Sequence, residues 1–259
     1  MRWHQVRTFG GVVAMGGNQN FLGARWVAPM VRHAPARHRQ GVALRLLALS
    51  PHYFYAKDRG AEADRNRSSR AELVKDLLAG YLQPGMRVID FGCGPGWCAG
   101  AVAPRVRTVE AVDISTGVLA CAQVLNGAPN INYETPAQFG RRTELADLAY
   151  SFAVVQHMSD AALVDALVVL RRRLRPYGTM LVHFALPEDG WRTEQERRGD
   201  KTLKGRVKLR IGLNCFGRSA GTMTGLLNKA GFDDVRIEAL AGRTNFEDDI
   251  ATQHWAIAS

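Results

Sequence analysis

Val88-Ile89-Asp90-Phe91-Gly92-Cys93-Gly94-Pro95-Gly96 decides the fold of this chain. A short apolar run ends in an acid, and three glycines follow at alternate positions. The apolar residues read as a buried strand. Glycines directly after a strand permit a tight turn and let a ligand approach bare backbone. Residues 97–103 then open a helix whose N-terminus faces that ligand. The acid selects the ligand: Asp90 would repel a pyrophosphate but attract a cationic amino group. The stretch therefore predicts an adenosine-type ligand that carries positive charge in place of phosphates.

Outward from this stretch the pattern alternates. Strands are predicted at 87–91, 108–112, 131–134, 148–155 and 179–185, and helices at 97–103, 117–125, 161–174 and 220–230. Alternation of this kind gives an α/β fold, a mainly parallel sheet with helices on both faces. Residues 235–240 and 252–256 read as two late strands with no helix between them, an antiparallel hairpin at one edge. Upstream, 59–81 reads as a helix with Leu73, Leu77, Leu78 and Tyr81 on its apolar face, stopped by Gln83-Pro84-Gly85. Residues 39–49 read as a shorter amphipathic helix.

Three regions follow. Residues 1–35, with Gly10-Gly11, Gly16-Gly17, Pro29 and Pro35, read as a basic, poorly ordered leader. Residues 36–82 form an N-terminal helical segment, in which His52-Tyr53-Phe54-Tyr55 is either a lid or a packing plug. Residues 83–259 form the main domain, and 187–218, too long for an ordinary link, projects as an acceptor-binding cap.

The charge is uneven. Residues 1–57 hold no Asp or Glu against Arg2, Arg7, Arg25, Arg32, Arg37, Arg39, Arg45 and Lys57, so most of the net charge of +10 lies in front of a nearly neutral body. Such an arm can bind nucleic acid, although clustered lysine and interleaved aromatics are weak in it. The four cysteines, Cys93, Cys98, Cys121 and Cys215, show no paired metal spacing and suit a reducing cytoplasm. No apolar run approaches the ~18 residues of a membrane span.

Asp90-Phe91-Gly92-Cys93-Gly94-Pro95-Gly96, Ala111-Val112-Asp113-Ile114-Ser115, Asp147-Leu148-Ala149-Tyr150-Ser151-Phe152 and Leu174-Arg175-Pro176-Tyr177-Gly178 occur in that order. Together they resemble the motifs of class I S-adenosylmethionine-dependent methyltransferases, over residues 86–183. The resemblance implies a Rossmann-like methyltransferase sheet with S-adenosylmethionine as co-substrate. It implies that Gly92, Cys93, Gly94 and Gly96 line the methionyl tail and that Asp90 holds the amino group. Asp113 would bind the ribose and Ile114 would pack on adenine, with Ala137 and Gln138 at the adenine edge and Phe152 after the fourth strand. Thr135-Pro136-Ala137-Gln138 departs from the family in lacking the frequent Asp; Gln138 offers a side-chain carbonyl instead.

The chemistry is an in-line displacement, for which the protein aligns the nucleophile and, for a hydroxyl, removes its proton. His157, after strand four, is the candidate general base, and His183, near the end of strand five, a second candidate. His254 reads as structural. One arginine near the start of helix 59–81, Arg70, could meet a ligand carboxylate. The segment after strand four lacks the Pro-Pro-aromatic cluster suited to base amines, and no cysteine is seen at that edge. No metal-ligand set is evident, though Mg²⁺ held by a few carboxylates and waters leaves little trace. These features predict O-methylation of a small-molecule hydroxyl, with a sugar or glycolipid as the favoured acceptor. An RNA methyltransferase using the basic arm and a non-catalytic cofactor-binding partner protein are the alternatives.

Overall fold

The computed structural model describes residues 27–48, 59–210, 215–241 and 253–259. The His52–Tyr55 cluster and Asn214 lie outside these residues.

Seven strands form one sheet in the order β3-β2-β1-β4-β5-β7-β6. They are β1 (Arg87–Phe91), β2 (Thr108–Val112), β3 (Ile131–Glu134), β4 (Ala146–Ser151), β5 (Leu174–Phe184), β6 (Val235–Ala239) and β7 (His254–Ala258). The first five pair in parallel, and β7 runs antiparallel between β5 and β6. The expected mainly parallel sheet with an antiparallel edge is what forms. The last strand begins two residues later than the sequence suggested, and β4 begins two residues earlier.

The central strands are apolar because both faces are covered. On one face Val88, Leu148 and Leu181 pack under Leu73, Val74, Leu77 and Leu78. These belong to helix α3 (Arg59–Leu73) and the π turn Val74–Leu78 that extends it. Helix α4 (Trp97–Val102) adds Ala99 and Val102 to the same layer. On the other face Ile89, Ala149 and Val182 meet α7 (Asp160–Arg173) and α10 (Ala220–Lys229). Leu163, Leu167 and Leu170 recur at helical spacing along α7, each worth about 1.5–3 kcal/mol when buried. The cap contains two short helices, α8 (Glu194–Gly199) and α9 (Leu203–Arg210).

Two helices depart from the expectations. Residues 27–33 do not belong to an unstructured leader: they form α1 (Val27–His33), with Val27, Ala28 and Val31 buried. With α2 (Arg39–Leu47), α1 packs on α5 (Thr116–Asn126) in a third apolar cluster. Pro29, read as a breaker, lies in the first turn of α1, where its missing N–H costs no helical hydrogen bond. The second is α6 (Pro136–Phe139), started by a capping box between Thr135 and Gln138.

Candidate active site

The chain runs from β1 out to β2 and β3 and then crosses to β4, so the strand order reverses between β1 and β4. Ligands of such sheets bind beyond the carboxyl ends of the strands at that reversal, and the glycine stretch leaves β1 there. Gly92, Gly94 and Gly96 have φ of 80°, 51° and 79°, which a side chain disfavours. Space is closed as well. A Cβ on Gly92 would lie 2.3 Å from Val154 Cγ2, and one on Gly96 2.3 Å from Tyr133 Oη. The loop amides turn inward. Gly92 and Cys93 donate to the Val112 carbonyl at 2.8 and 3.0 Å, and Gly94 donates to Asp113 Oδ2 at 3.0 Å. Amides engaged in this way do not cradle a phosphate.

Asp90, in β1, is 2% exposed, and its Oδ2 has no hydrogen-bond partner. Burial pushes its carboxyl up from the ordinary 3.8 to about 7. The Tyr150 phenol, paired with it across β1 and β4, draws it back down, Asp113 adds to the rise, and the Ala99 amide opposes it. Tyr150 Oη is also without a properly aligned partner, so the two groups approach each other without forming a hydrogen bond of good geometry. An orphaned buried carboxylate oxygen fits a cationic ligand group.

Asp113 accepts the Gly94 amide at one oxygen and the Ser115 amide, at 2.8 Å, at the other. Burial still raises its carboxyl, against the pull of these amides. It therefore fastens the glycine loop to β2 as well as standing where a ribose would lie. Ile114 beside it is 53% exposed, an apolar surface open to a flat ring. Ala137 and Gln138 are exposed on α6. The Gln138 side-chain carbonyl, expected at the adenine edge, accepts from the Thr135 amide and hydroxyl at 2.9 Å, so it caps the helix. Cys93 and Cys98 are buried, and burial raises both thiols, Cys98 to about 12, as expected of packing residues.

The second half of the site lies at the ends of β4, β5 and β7. Ser151 pairs with Val182 and His183 with Trp255, which places Phe152, His183 and Trp255 in a row on the face that carries Asp90 and Tyr150. Phe152 and His183 ring centres are 4.3 Å apart, and His183 meets Trp255 edge-on at 5.9 Å. The Arg70 guanidinium, from α3, sits 5.4 Å over the Phe152 ring. His254 points to the opposite face, beside Phe184.

His183 does not suit the base role expected of it. The Ala153 N–H donates to its Nδ1 at 3.2 Å, so Nδ1 carries the lone pair and Nε2 the proton. Burial, then Arg70 and His254, press its pKa down to about 3, so the ring is neutral. Its Nε2 is a buried donor without a partner among the described residues.

His157 sits in the 3-10 turn Val155–His157 after β4, half-buried, with Nδ1 3.7 Å from Cys215 Sγ. The expectation of no cysteine at this edge is corrected, because the cap returns Cys215 to it. Arg218 fixes the turn: Nε donates to Asp160, Nη1 to the Val155 carbonyl and Nη2 to the Met158 carbonyl. Among the described residues no three His, Cys, Asp or Glu side chains are placed to hold a metal ion. Nor is any described helix long and apolar enough to cross a membrane.

Comparison with known proteins agrees with this geometry. A malonyl-[acyl-carrier protein] O-methyltransferase of Erwinia billingiae is 31% identical over 125 residues, 48% of this chain and 49% of that protein. The chain thus spans about half the length of the curated relatives it matches. In fold it is similar to an S-adenosylmethionine-dependent methyltransferase of Mesorhizobium loti, with a TM-score of 0.55 at 20% identity over 74% of this chain and 99% of that one. Human N-acetylserotonin methyltransferase, solved with S-adenosylmethionine, gives a TM-score of 0.54 at 18% identity over 98% of this chain and 66% of that one. The methyltransferase-domain family profile matches residues 63–237, more than half of the chain. The chain belongs to that methyltransferase-domain family.

Proposed function

We propose that this protein transfers a methyl group from S-adenosylmethionine to an oxygen of a small or carrier-linked acceptor. One observation carries the reading. A row of buried residues, Asp90, Tyr150, His183 and Trp255, each with one polar atom lacking a partner among the described residues, runs along one sheet face from the glycine turn to β7. Its first member is an acid suited to an ammonium group. Its last members are neutral donors suited to oxygen.

When bound, the sulfonium supplies an activated methyl group. Asp90 takes the amino group, Asp113 the ribose and Ile114 the adenine face, with the turn through Gly92, Gly94 and Gly96 along the methionyl tail. Phe152 and Trp255 exclude water around the transferred group. Relatives named as malonyl-[acyl-carrier protein] O-methyltransferases support oxygen as the accepting atom. A sugar or glycolipid is the finer acceptor reading, supported by the arginine-rich segment 187–218.

A hydroxyl acceptor would need a base, and His157 is the imidazole placed after β4 to act as one. The basic segment before α1 supports the RNA reading by charge alone. Incubation with methyl-labelled S-adenosylmethionine and a panel of alcohols, phenols and carboxylic acids tests the proposal. Label is expected on oxygen. For a hydroxyl acceptor, His157→Ala should lower kcat about 100-fold or more while leaving S-adenosylhomocysteine affinity unchanged. Label found only on nitrogen or carbon would overturn the reading.

A further inference from the structure

We propose that helix α9 of the cap docks on an anionic phospholipid surface, with Leu203 entering the headgroup region and Lys201, Lys204 and Arg206 meeting the lipid phosphates. Vesicle binding is read without methyl transfer, so this docking stands whether or not oxygen is the accepting atom.

The helix is held with an apolar residue outward. Leu203, its first residue, is 72% exposed, whereas Gly205 is buried. Asp200 and Thr202 set that rotation. The Thr202 amide and hydroxyl donate to Asp200 Oδ1 at 3.0 and 2.7 Å, and the Gly205 amide donates to the Thr202 hydroxyl at 3.0 Å. The Asp200 carboxylate lies directly on Gly205, where a Cβ would stand 2.4 Å from its Cγ. Positions two apart on a helix point to nearly opposite sides. Fixing Gly205 inward therefore turns Leu203 out.

The charge around Leu203 has one sign. No Asp or Glu occurs between Asp200 and Asp233. Lys201, Lys204 and Arg206 are exposed, and none makes an ion pair with an acid among the described residues. The acids that precede the helix are engaged within the cap. Glu194 accepts from Arg198 at 2.6 Å, Glu196 accepts from the Thr193 amide and hydroxyl, and Asp200 stands 3.6 Å from Arg192. In the sequence Val207 follows Leu203 by one helical turn. Lys204 and Lys208 fall to one side of that stripe, and Arg206 and Arg210 to the other.

A lone exposed leucine needs no partner. A leucine turned outward on a basic, acid-free helix is the pattern of an element that lies in a bilayer interface, its aliphatic group among the acyl chains and its cations on phosphate. Nucleic acid would use the same charges, but it would also stack bases on aromatic rings, and residues 192–215 contain no Phe, Tyr or Trp. With 8 residues, the helix lies on the surface and does not cross it. The cap returns to the end of β4 through Phe216 and Arg218. Docking thus holds the acceptor side of the sheet near the lipid, which suits an acceptor carried in the membrane.

The test sediments the full chain with vesicles of phosphatidylcholine alone and of phosphatidylcholine with phosphatidylglycerol. Binding is expected only to the second, about tenfold weaker when salt rises from about 0.1 to 0.5 M. Lys204→Gln with Arg206→Gln should weaken it about 20-fold, and Leu203→Ser about fivefold or more. S-adenosylhomocysteine affinity, unchanged in both variants, shows that they are folded. Arg32→Gln with Arg37→Gln and Arg45→Gln, on the basic surface of α1 and α2, should leave vesicle binding nearly intact. Loss of binding in that triple variant with retention in the α9 variants overturns the assignment to α9. Equal binding to both vesicles, or binding to neither, overturns the docking itself. So does salt-sensitive retention of a single-stranded RNA oligonucleotide that the Lys204 and Arg206 changes abolish while no vesicle is bound.

Discussion

Two buried polar regions of this protein obey opposite rules. Around Arg173, 5% exposed, each guanidinium nitrogen donates: Nε to the Glu144 carbonyl, Nη1 to the Phe139 carbonyl and Nη2 to Glu110 and Glu144. Glu110, 1% exposed, meets Arg87 with its other oxygen. The row from Asp90 to Trp255 is buried as deeply, yet each member keeps one polar atom without a hydrogen-bond partner among the described residues. Burying a polar group costs free energy until a partner is found. The Arg173 cluster finds its partners on folding and is architecture. The row is completed by what binds.

That contrast breaks most visibly at Arg173. Arg173→Met leaves buried Glu110 with Arg87 alone and removes the donors of the Phe139 and Glu144 carbonyls, and should cost about 3–5 kcal/mol, read from urea denaturation. Affinity for S-adenosylhomocysteine should change little in the folded fraction. Asp90→Asn should do the reverse. Loss of a charge-assisted bond to the amino group should weaken S-adenosylhomocysteine binding about 10- to 100-fold, measured by calorimetry, while the unliganded protein becomes no less stable at pH 8.

The pH sign follows. The Asp90 carboxyl is raised in the folded chain from 3.8 to about 7, so the folded state holds its proton more tightly. Its contribution to stability therefore falls as pH rises between those values and levels off above pH 7. Asp90→Asn should flatten that slope. Ligand binding near pH 6 should expel up to about one proton, and almost none at pH 8. The smallest effect is at Gly92. Ala there must hold φ at 80° and push Val154 aside, so about 1–3 kcal/mol of stability should be lost.

The same contrast explains what the sequence disclosed. Residues 88–96 carry strand, turn and helix start within one contiguous stretch, and the donor side of the site was legible there. Thr135 and Gln138 also carried a local signal, since Thr-Pro-Ala-Gln has the capping-box spacing with proline at the first helical position. The resemblance to the methyltransferase family assigns the same residues to the adenine edge, whereas the capping box uses the Gln138 carbonyl that this role would need. Helix α1 is seven residues long and packs on α2 and α5, so little periodicity announces it. On the acceptor side single residues were legible, His157, His183, Arg70 and Phe152, but not their assembly with Trp255. Arg70, Phe152, His183 and Trp255 come from four separate segments and meet only through strand order and register. Cys215 lies 58 positions from His157 and reaches it through the return of the cap.

Arg218 gives that return a further meaning. It is 2% exposed, its three nitrogens grip the segment after β4, and its own amide donates to the Ala185 carbonyl. Two residues earlier, the Phe216 amide donates to the Gln156 carbonyl. The inserted segment is thus stitched down at its far end, and the Gly217 amide, which donates to the Arg192 carbonyl, and the Asp160 amide, which donates to Glu194, tie down its first part as well. Insertions and exchanges beyond Glu194 can be sampled by evolution, or by a protein engineer grafting a new specificity, while these ties hold the segment against the end of β4.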